Sequence, residues 1–312
     1  MPWIDLTNTG GPQKASATVC TDEKNNNLFF IFGGYPYNSS FINQFNTSKQ
    51  QWINIISTGN APTYRSSISC AKFNNVISIF SGYNSVSTSD LWIFNTLTLT
   101  WSLSNATNAP LFRWVYCAIT LPDKNILYIG GMYDTNLYRP MNSSIFGPTP
   151  PDRGYPSAVL TSDERIIIFG GYNNVTTFGD LWILDLTKYQ WSIGNILNPI
   201  VDLVLYRHTA TLVDNYMIVA FENNMSSKIF MLDVSHKDSY RWVTEFTPNA
   251  TTTTTTTISS NPISSNTISS DSKNVSLIIG AIIGGIIFLV IFVIAIILTL
   301  KFINKHNALL TN

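Results

Sequence analysis

The sequence predicts an all-β domain of repeated four-stranded units, then a polar stalk and one membrane-crossing helix. Three observations carry this prediction. A phrase of about 40 to 50 residues recurs five times over residues 1–246; each copy holds short apolar runs punctuated by Gly, Asn and Asp; and an uncharged apolar run extends from Leu277 to Leu300.

Each copy passes from a basic residue through an apolar strand to a second strand ending in a glycine pair. An aspartate-led third strand follows, and a tryptophan closes the unit. The second copy is the clearest, with Arg65, Ile68 to Phe73, Val76 to Phe80, Ser81-Gly82, Asp90 to Asn95 and Trp101. The basic position recurs as Lys14, Arg65, Arg113, Arg153 and Arg207, and the closing tryptophan as Trp3, Trp52, Trp101, Trp191 and Trp242. Apolar runs this short and this rich in Ile, Val, Phe and Trp are strands, too brief for helices. Asn74-Asn75 and Asp214-Asn215 suit two-residue hairpins, because these residues tolerate positive φ. The glycine pair marks a close approach of backbone to a neighbour. A unit that cannot bury its own apolar face must stack on the next, and radial stacking of four-stranded units makes a β-propeller.

The glycine pair, spaced aspartate-led strand and tryptophan resemble the kelch-repeat family over residues 1–246. Copy three departs, with three prolines between Met141 and Pro151 where its last strand belongs, and copy five has Ala220-Phe221 in place of the glycine pair. The resemblance implies a ring of six or seven blades, of which about five are encoded. Trp3-Ile4-Asp5-Leu6 reads as the last strand of a blade whose earlier strands, with a signal peptide, would lie upstream of Met1; the alternative is that it closes the ring by joining the final blade, although Trp242 already supplies that blade's last strand.

The organisation expected is a propeller over 1–246, a Ser/Thr-rich stalk over 247–274, a transmembrane helix over 275–300 and a short cytosolic tail over 301–312. Seven consecutive threonines, Thr251 to Thr257, exclude a core from the stalk. Leu277 to Leu300 would span roughly 36 Å as a helix, and Gly280 and Gly284 give it a face through which two copies would pair. Lys301 and Lys305 favour a cytosolic C-terminus. The expected location is the plasma membrane or secretory pathway with the propeller outside; the alternative is a tail-anchored propeller facing the cytosol from an organelle membrane, since Met1 to Cys20 has no signal-peptide pattern. Eight N-x-Ser/Thr sequons carry little weight in a chain so rich in Asn, Ser and Thr, but Asn38, Asn142 and Asn174 are the acceptors expected on polar loops. Cys20, Cys70 and Cys117 occupy matching positions of successive first strands and read as small apolar core residues, with disulfides between neighbouring blades disfavoured.

With 18 basic and 18 acidic residues there is no charge excess to recruit nucleic acid. The three histidines, His208, His236 and His306, are scattered, so neither a metal site nor a cofactor is expected. The copper-radical enzymes that share the propeller need a histidine pair and a cysteine-linked tyrosine, which this chain does not supply, and no clustered arginine and carboxylate site suggests a sialidase-like enzyme. The reading is a binding module for a protein or carbohydrate, not an enzyme. Placed by motif position, its face would carry Tyr35, Tyr83, Tyr133 and Tyr172 beside Arg65, Arg113, Arg153 and Arg207, residue types that dominate binding hot spots. Arginines bracing neighbouring blades through carbonyl groups are the competing reading.

Overall fold

The computed structural model describes residues 9–21, 27–37, 39–84, 88–105, 107, 109–134, 137–139, 147–220 and 228–248. The expectations for Trp3 and for the stalk beyond Pro248, the 275–300 helix and the tail lie outside these residues. No helix among the described residues is long and apolar enough to cross a membrane.

Blade one is β1 (Thr18–Thr21), β2 (Leu28–Phe32), β3 (Ile42–Asn46) and β4 (Gln51–Ile53), hydrogen-bonded in that order. A short β5 (Thr58–Gly59) precedes blade two, which comprises β6 (Cys70–Phe73), β7 (Val76–Phe80), β8 (Leu91–Asn95) and β9 (Thr100–Leu103). The third unit has a two-stranded sheet, β10 (Cys117–Thr120) with β11 (Ile126–Ile129), and a hairpin of β12 (Met132–Asp134) with β13 (Leu137–Tyr138). Blade four is β14 (Ser157–Leu160), β15 (Arg165–Phe169), β16 (Leu181–Asp185) and β17 (Gln190–Ile193); blade five is β18 (Thr209–Val213), β19 (Tyr216–Ala220), β20 (Ile229–Asp233) and β21 (Arg241–Val243). The fold is thus an all-β propeller with four complete blades. Among the described residues no third and fourth strand join the sheet of the third unit, and most of the stretch from Met141 to Pro151, where copy three departs, lies outside them.

The local chemistry explains the hairpins. Phe73 pairs with Val76 and Val213 with Tyr216, so Asn74-Asn75 and Asp214-Asn215 are two-residue turns, with Asn74 and Asp214 at φ 52 and 51°. The third strands end in Asn or Asp, whose side chain caps the next turn: Asn95 Oδ1 accepts from Leu97 N and Thr98 N, and Asp185 Oδ1 from Thr187 N and Lys188 N.

Sandwiched blades supply the core. Phe30, Phe32, Ile77, Ile79, Phe94 and Trp101 are buried between blades one and two, while Ile167, Phe169, Leu181, Met217, Val219 and Leu232 fill the junction of blades four and five. The outer edges are covered by the incoming linkers. β5 pairs in parallel with β9, Ile196 bridges Tyr240 in parallel, and Trp52 Nε1 donates to Thr9 Oγ1 at 3.0 Å. An edge occupied in this way offers fewer unpaired backbone groups to a foreign strand.

Candidate functional site

Around the inner mouth of the propeller, the glycine pair and the basic position of the next blade form one repeating joint. Gly34 N donates to Arg65 O, Gly82 N to Arg113 O, Gly131 N to Arg153 O and Gly171 N to Leu205 O, all within 2.8 to 3.0 Å. A β-carbon on Gly33 would sit 2.4 Å from Arg65 O, so glycine is required there by contact as well as by its positive φ. In blade two Ser81 replaces it at φ 53°, and its hydroxyl accepts from Arg113 N at 3.0 Å.

The same joints correct the expected register. Ser16, Ser67, Val115, Tyr155 and Arg207 share a φ of 53 to 59° two residues after the basic position. Arg207 is therefore equivalent to Tyr155, and the residue equivalent to Arg65 and Arg153 in blade five is Leu205. In blade three, Met132 and not Tyr133 makes the bridge that Tyr35, Tyr83 and Tyr172 make in theirs.

Two of the eight residues expected on the binding face are removed from it by burial. Arg65 is 1% and Arg153 0% exposed. Arg65 grips Asp90 in a bidentate pair at 2.6 and 2.9 Å and donates to Ser81 O; Arg153 does the same with Asp180, at the same two distances, and with Gly170 O. Trp92 and Trp182 donate their indole N–H to the same aspartates. Burial alone would raise the Asp90 pKa, but hydrogen bonds from Arg65, Thr88 and Trp92 outweigh it and hold the carboxyl below its ordinary value. These arginines are clamps within the blade. Lys14 plays a related part in blade one, donating to Gly33 O and Ser40 O, and burial lowers its pKa to about 8.

The remaining six border an aromatic and cationic rim. Tyr35 and Tyr83 are 61% and 49% exposed. Tyr83 meets Trp114 edge-on, and Trp114 lies near-parallel to Phe112. Arg139 stacks over Tyr133 at 3.9 Å and lies 5.5 Å from Phe112. Arg113 is half-buried, donates to Gly130 O, and has its pKa lowered by burial and by the charge of Arg139. Among the described residues neither Arg113 nor Arg139 is in an ion pair. Tyr172 packs on Tyr206 at 5.4 Å, and exposed Arg207 lies 4.7 Å over Tyr155 while donating to its hydroxyl. Phe112, Trp114, Tyr138, Arg139, Tyr155 and Tyr206 were not singled out by motif position; aromatic residues flanking each basic position were the available signal.

The sulfur chemistry also differs from expectation. Cys20 and Cys70 form a disulfide joining β1 to β6, with their Cα atoms 6.3 Å apart. First strands of adjacent blades converge on the axis, so side chains at matching positions meet there. Cys117 remains a thiol, and burial pushes its pKa up to about 12, which makes it unreactive. His208 is buried, with Nε2 2.7 Å from Ser157 Oγ, and burial pushes its pKa down to about 4. No cluster of His, Cys, Asp and Glu among the described residues could hold a metal ion. Of the expected glycan acceptors, Asn174 is described and exposed, whereas Asn38 and Asn142 lie outside the described residues.

Joints, clamps and edge-covering linkers define a β-propeller that presents its loops as a protein-interaction surface. Residues 3–146 match the profile of the KLHDC2/KLHL20/DRC7 Kelch-repeats domain and residues 153–198 match the Kelch motif, so the chain carries a kelch-repeat domain. Similar curated proteins include tRNA wybutosine-synthesizing protein 4 of Saccharomyces cerevisiae, 26% identical over 208 residues that make up 60% of this chain and 29% of that protein. Tip elongation aberrant protein 1 of Schizosaccharomyces pombe is 27% identical over 209 residues, 58% of this chain and 18% of that protein, and host cell factor homolog hcf-1 of Caenorhabditis elegans is 25% identical over 232 residues, 62% and 29%. The chain spans less than a third of the length of these relatives.

Proposed function

We propose that this chain is a single-pass membrane binding protein whose kelch propeller faces the secretory or extracellular side and captures an acidic protein segment at its rim. The observation that carries the binding reading is the pair Arg113 and Arg139, set among Phe112, Trp114 and Tyr133 without a carboxylate partner among the described residues. A carboxylate arriving between them relieves their mutual repulsion and gains charge-assisted hydrogen bonds, while the aromatic rings supply contact area. An anionic carbohydrate would use the same chemistry. The rim is proposed as a binding surface and not as a catalytic one.

The Cys20–Cys70 disulfide supports placing the propeller outside, because such bonds persist in oxidising compartments and are rare in the cytosol. Anchoring rests on the uncharged run from Leu277 to Leu300, and pairing through Gly280 and Gly284 is part of the same proposal. The test is to express the full-length chain with an epitope inserted at the exposed Val201 turn in cultured animal cells. Antibody staining of unpermeabilised cells and a non-reducing shift of the Cys20–Cys70 peptide support this reading. Staining only after permeabilisation, with both cysteines alkylated as thiols, favours the tail-anchored cytosolic propeller. Capture of acidic peptides by the detergent-solubilised protein, lost in Arg139→Ala, tests the rim itself.

A further inference from the structure

We propose that Asn174 carries an N-linked glycan that covers the blade-four sector of the rim, leaving the sector from Tyr35 through Trp114 to Arg139 as the part open to a macromolecular partner. The proposal rests on the secretory placement above. Asn174-Val175-Thr176 is a sequon, and it occupies the tip of the loop between β15 and β16. That loop is a defined turn: Asn173 N donates to Thr176 O, Asn173 Oδ1 accepts from Val175 N and Thr176 N, and Tyr172 bridges Thr177. The three sequon residues are exposed, Val175 by 91%, so a glycan added before folding is accommodated afterwards without disturbing a core.

The loop does not point away from the rim. Tyr138 of the third unit donates to Asn174 Oδ1 at 3.4 Å. Burial raises the pKa of Tyr138, and the nearby Tyr172 and Tyr155 add to the rise. Tyr172 and Tyr155 both pack on Tyr206, beneath Arg207. A sugar leaving Asn174 therefore starts beside Tyr138, at the edge of the group formed by Tyr172, Tyr206 and Tyr155, whose faces suit the apolar face of a pyranose, and covers ground that a protein partner would otherwise use.

In the addition itself, the anomeric carbon of the reducing-end N-acetylhexosamine of a lipid-pyrophosphate-linked oligosaccharide forms a bond to Asn174 Nδ2. The bond from that carbon to the pyrophosphate oxygen breaks, the lipid pyrophosphate leaves with the electron pair, and the amide proton passes to a base of the host transferase. No oxidant or reductant is involved.

The test uses the full-length chain from cultured animal cells, solubilised in detergent. Glycopeptide mass spectrometry of the tryptic peptide between Arg165 and Lys188, whose asparagines are Asn173 and Asn174, is expected to show Asn174 occupied. Hydroxyl-radical footprinting is expected to show oxidation of Tyr138 and Tyr172 rising severalfold in Asn174→Gln, with Tyr35 and Tyr83 unchanged. Thr176→Ala, which removes the sequon and keeps the asparagine, is expected to reproduce that rise. An unoccupied Asn174 in a chain with the Cys20–Cys70 disulfide formed and Asn38 or Asn142 glycosylated overturns the proposal and leaves the secretory placement standing. An occupied Asn174 with no footprinting change overturns the shielding. Cys20 and Cys70 reduced, with every sequon bare, overturns the placement and this proposal together.

Discussion

Blades four and five have the same four-stranded topology but secure their inner loops differently. Blade four buries Arg153 against Asp180 and Gly170 O, and every residue of β15 is buried. Blade five has Leu205 in the arginine's place and Lys228 immediately before β20, where blade four has Asp180 before β16. Both members of the clamp have changed together. A buried ion pair replaced as a unit by apolar packing costs little, whereas half of one leaves an unpaired charge. Blade four reaches across to blade five at both strand ends: at the mouth end Ser157 meets His208, and at the opposite end Arg165 of β15 donates to Val234 O, His236 O and the Tyr240 hydroxyl. A repeat can shed its internal clamp where a neighbour reaches across.

The sharpest way to break this comparison is to make half of blade five's change in blade four. Arg153→Leu takes the cation from Asp180 and removes four hydrogen bonds, to Asp180 Oδ1 and Oδ2, Gly170 O and Pro151 O, and is expected to cost about 3 to 4 kcal/mol, with the carboxylate's partial exposure keeping the loss from being greater. Arg153→Leu with Asp180→Leu is expected to recover at least half of that loss. Urea midpoints with unchanged slopes provide the measurement. A double variant no better than the single one would show that the clamp cannot be shed as a unit.

A second contrast lies between the junction of blades one and two, held by a covalent bond, and the junction of four and five, held by Arg165. Replacing Cys20 and Cys70 with Ala together opens a loop of 50 residues and is expected to cost about 3 kcal/mol, read as a lower melting temperature that dithiothreitol no longer alters. Stability insensitive to reductant in the wild-type protein would mean that packing alone secures that junction.

The repeat was legible because glycine pairs, aspartate-led strands and tryptophans recur in simple order, each for a steric or hydrogen-bonding reason the structure shows. The site was legible only in part. Matching arginines by identity put Arg207 in the place that Leu205 fills, because the positive-φ backbone position that fixes the register leaves no residue signature: Ser, Val, Tyr and Arg all occupy it. Spacing likewise marked Arg65 and Arg153 as surface candidates, since the aspartates that bury them lie 25 and 27 residues away. The disulfide was not legible because equivalent positions of adjacent blades are expected to lie too far apart for the bond, and convergence at the axis is a property of the assembled propeller.

The Ser157–His208 contact between blades four and five is set apart from the Arg153 clamp by its pH dependence. The folded pKa of about 4 lies below the 6.5 of an exposed imidazole, so between these values the unfolded chain holds the extra proton. This contribution is complete above about pH 6.5 and is lost as the pH falls towards 4, amounting to about 3 kcal/mol. Urea midpoints recorded across this window should fall in the wild-type protein. His208→Gln, which keeps a polar group for Ser157 and cannot titrate, should flatten the slope whatever its stability at neutral pH. An unchanged slope would assign the pH dependence to other groups.

The smallest effect on stability belongs to Arg207, and it separates rim from clamp most cleanly. Its side chain lies exposed over Tyr155 and Tyr206, so Arg207→Ala forfeits a surface cation–π contact and is expected to change stability by no more than about 0.5 kcal/mol. Capture of an acidic peptide should weaken in Arg139→Ala, and footprinting of Tyr155 and Tyr206 should rise in Arg207→Ala. The two substitutions probe neighbouring sectors of the mouth. If a glycan on Asn174 shields the Arg207 sector, peptide capture by the glycosylated protein is indifferent to Arg207→Ala and becomes sensitive to it once Asn174→Gln removes the sugar. Equal sensitivity with and without the sugar would show a partner that spans the whole rim, and the division between a covered and an open sector would fall.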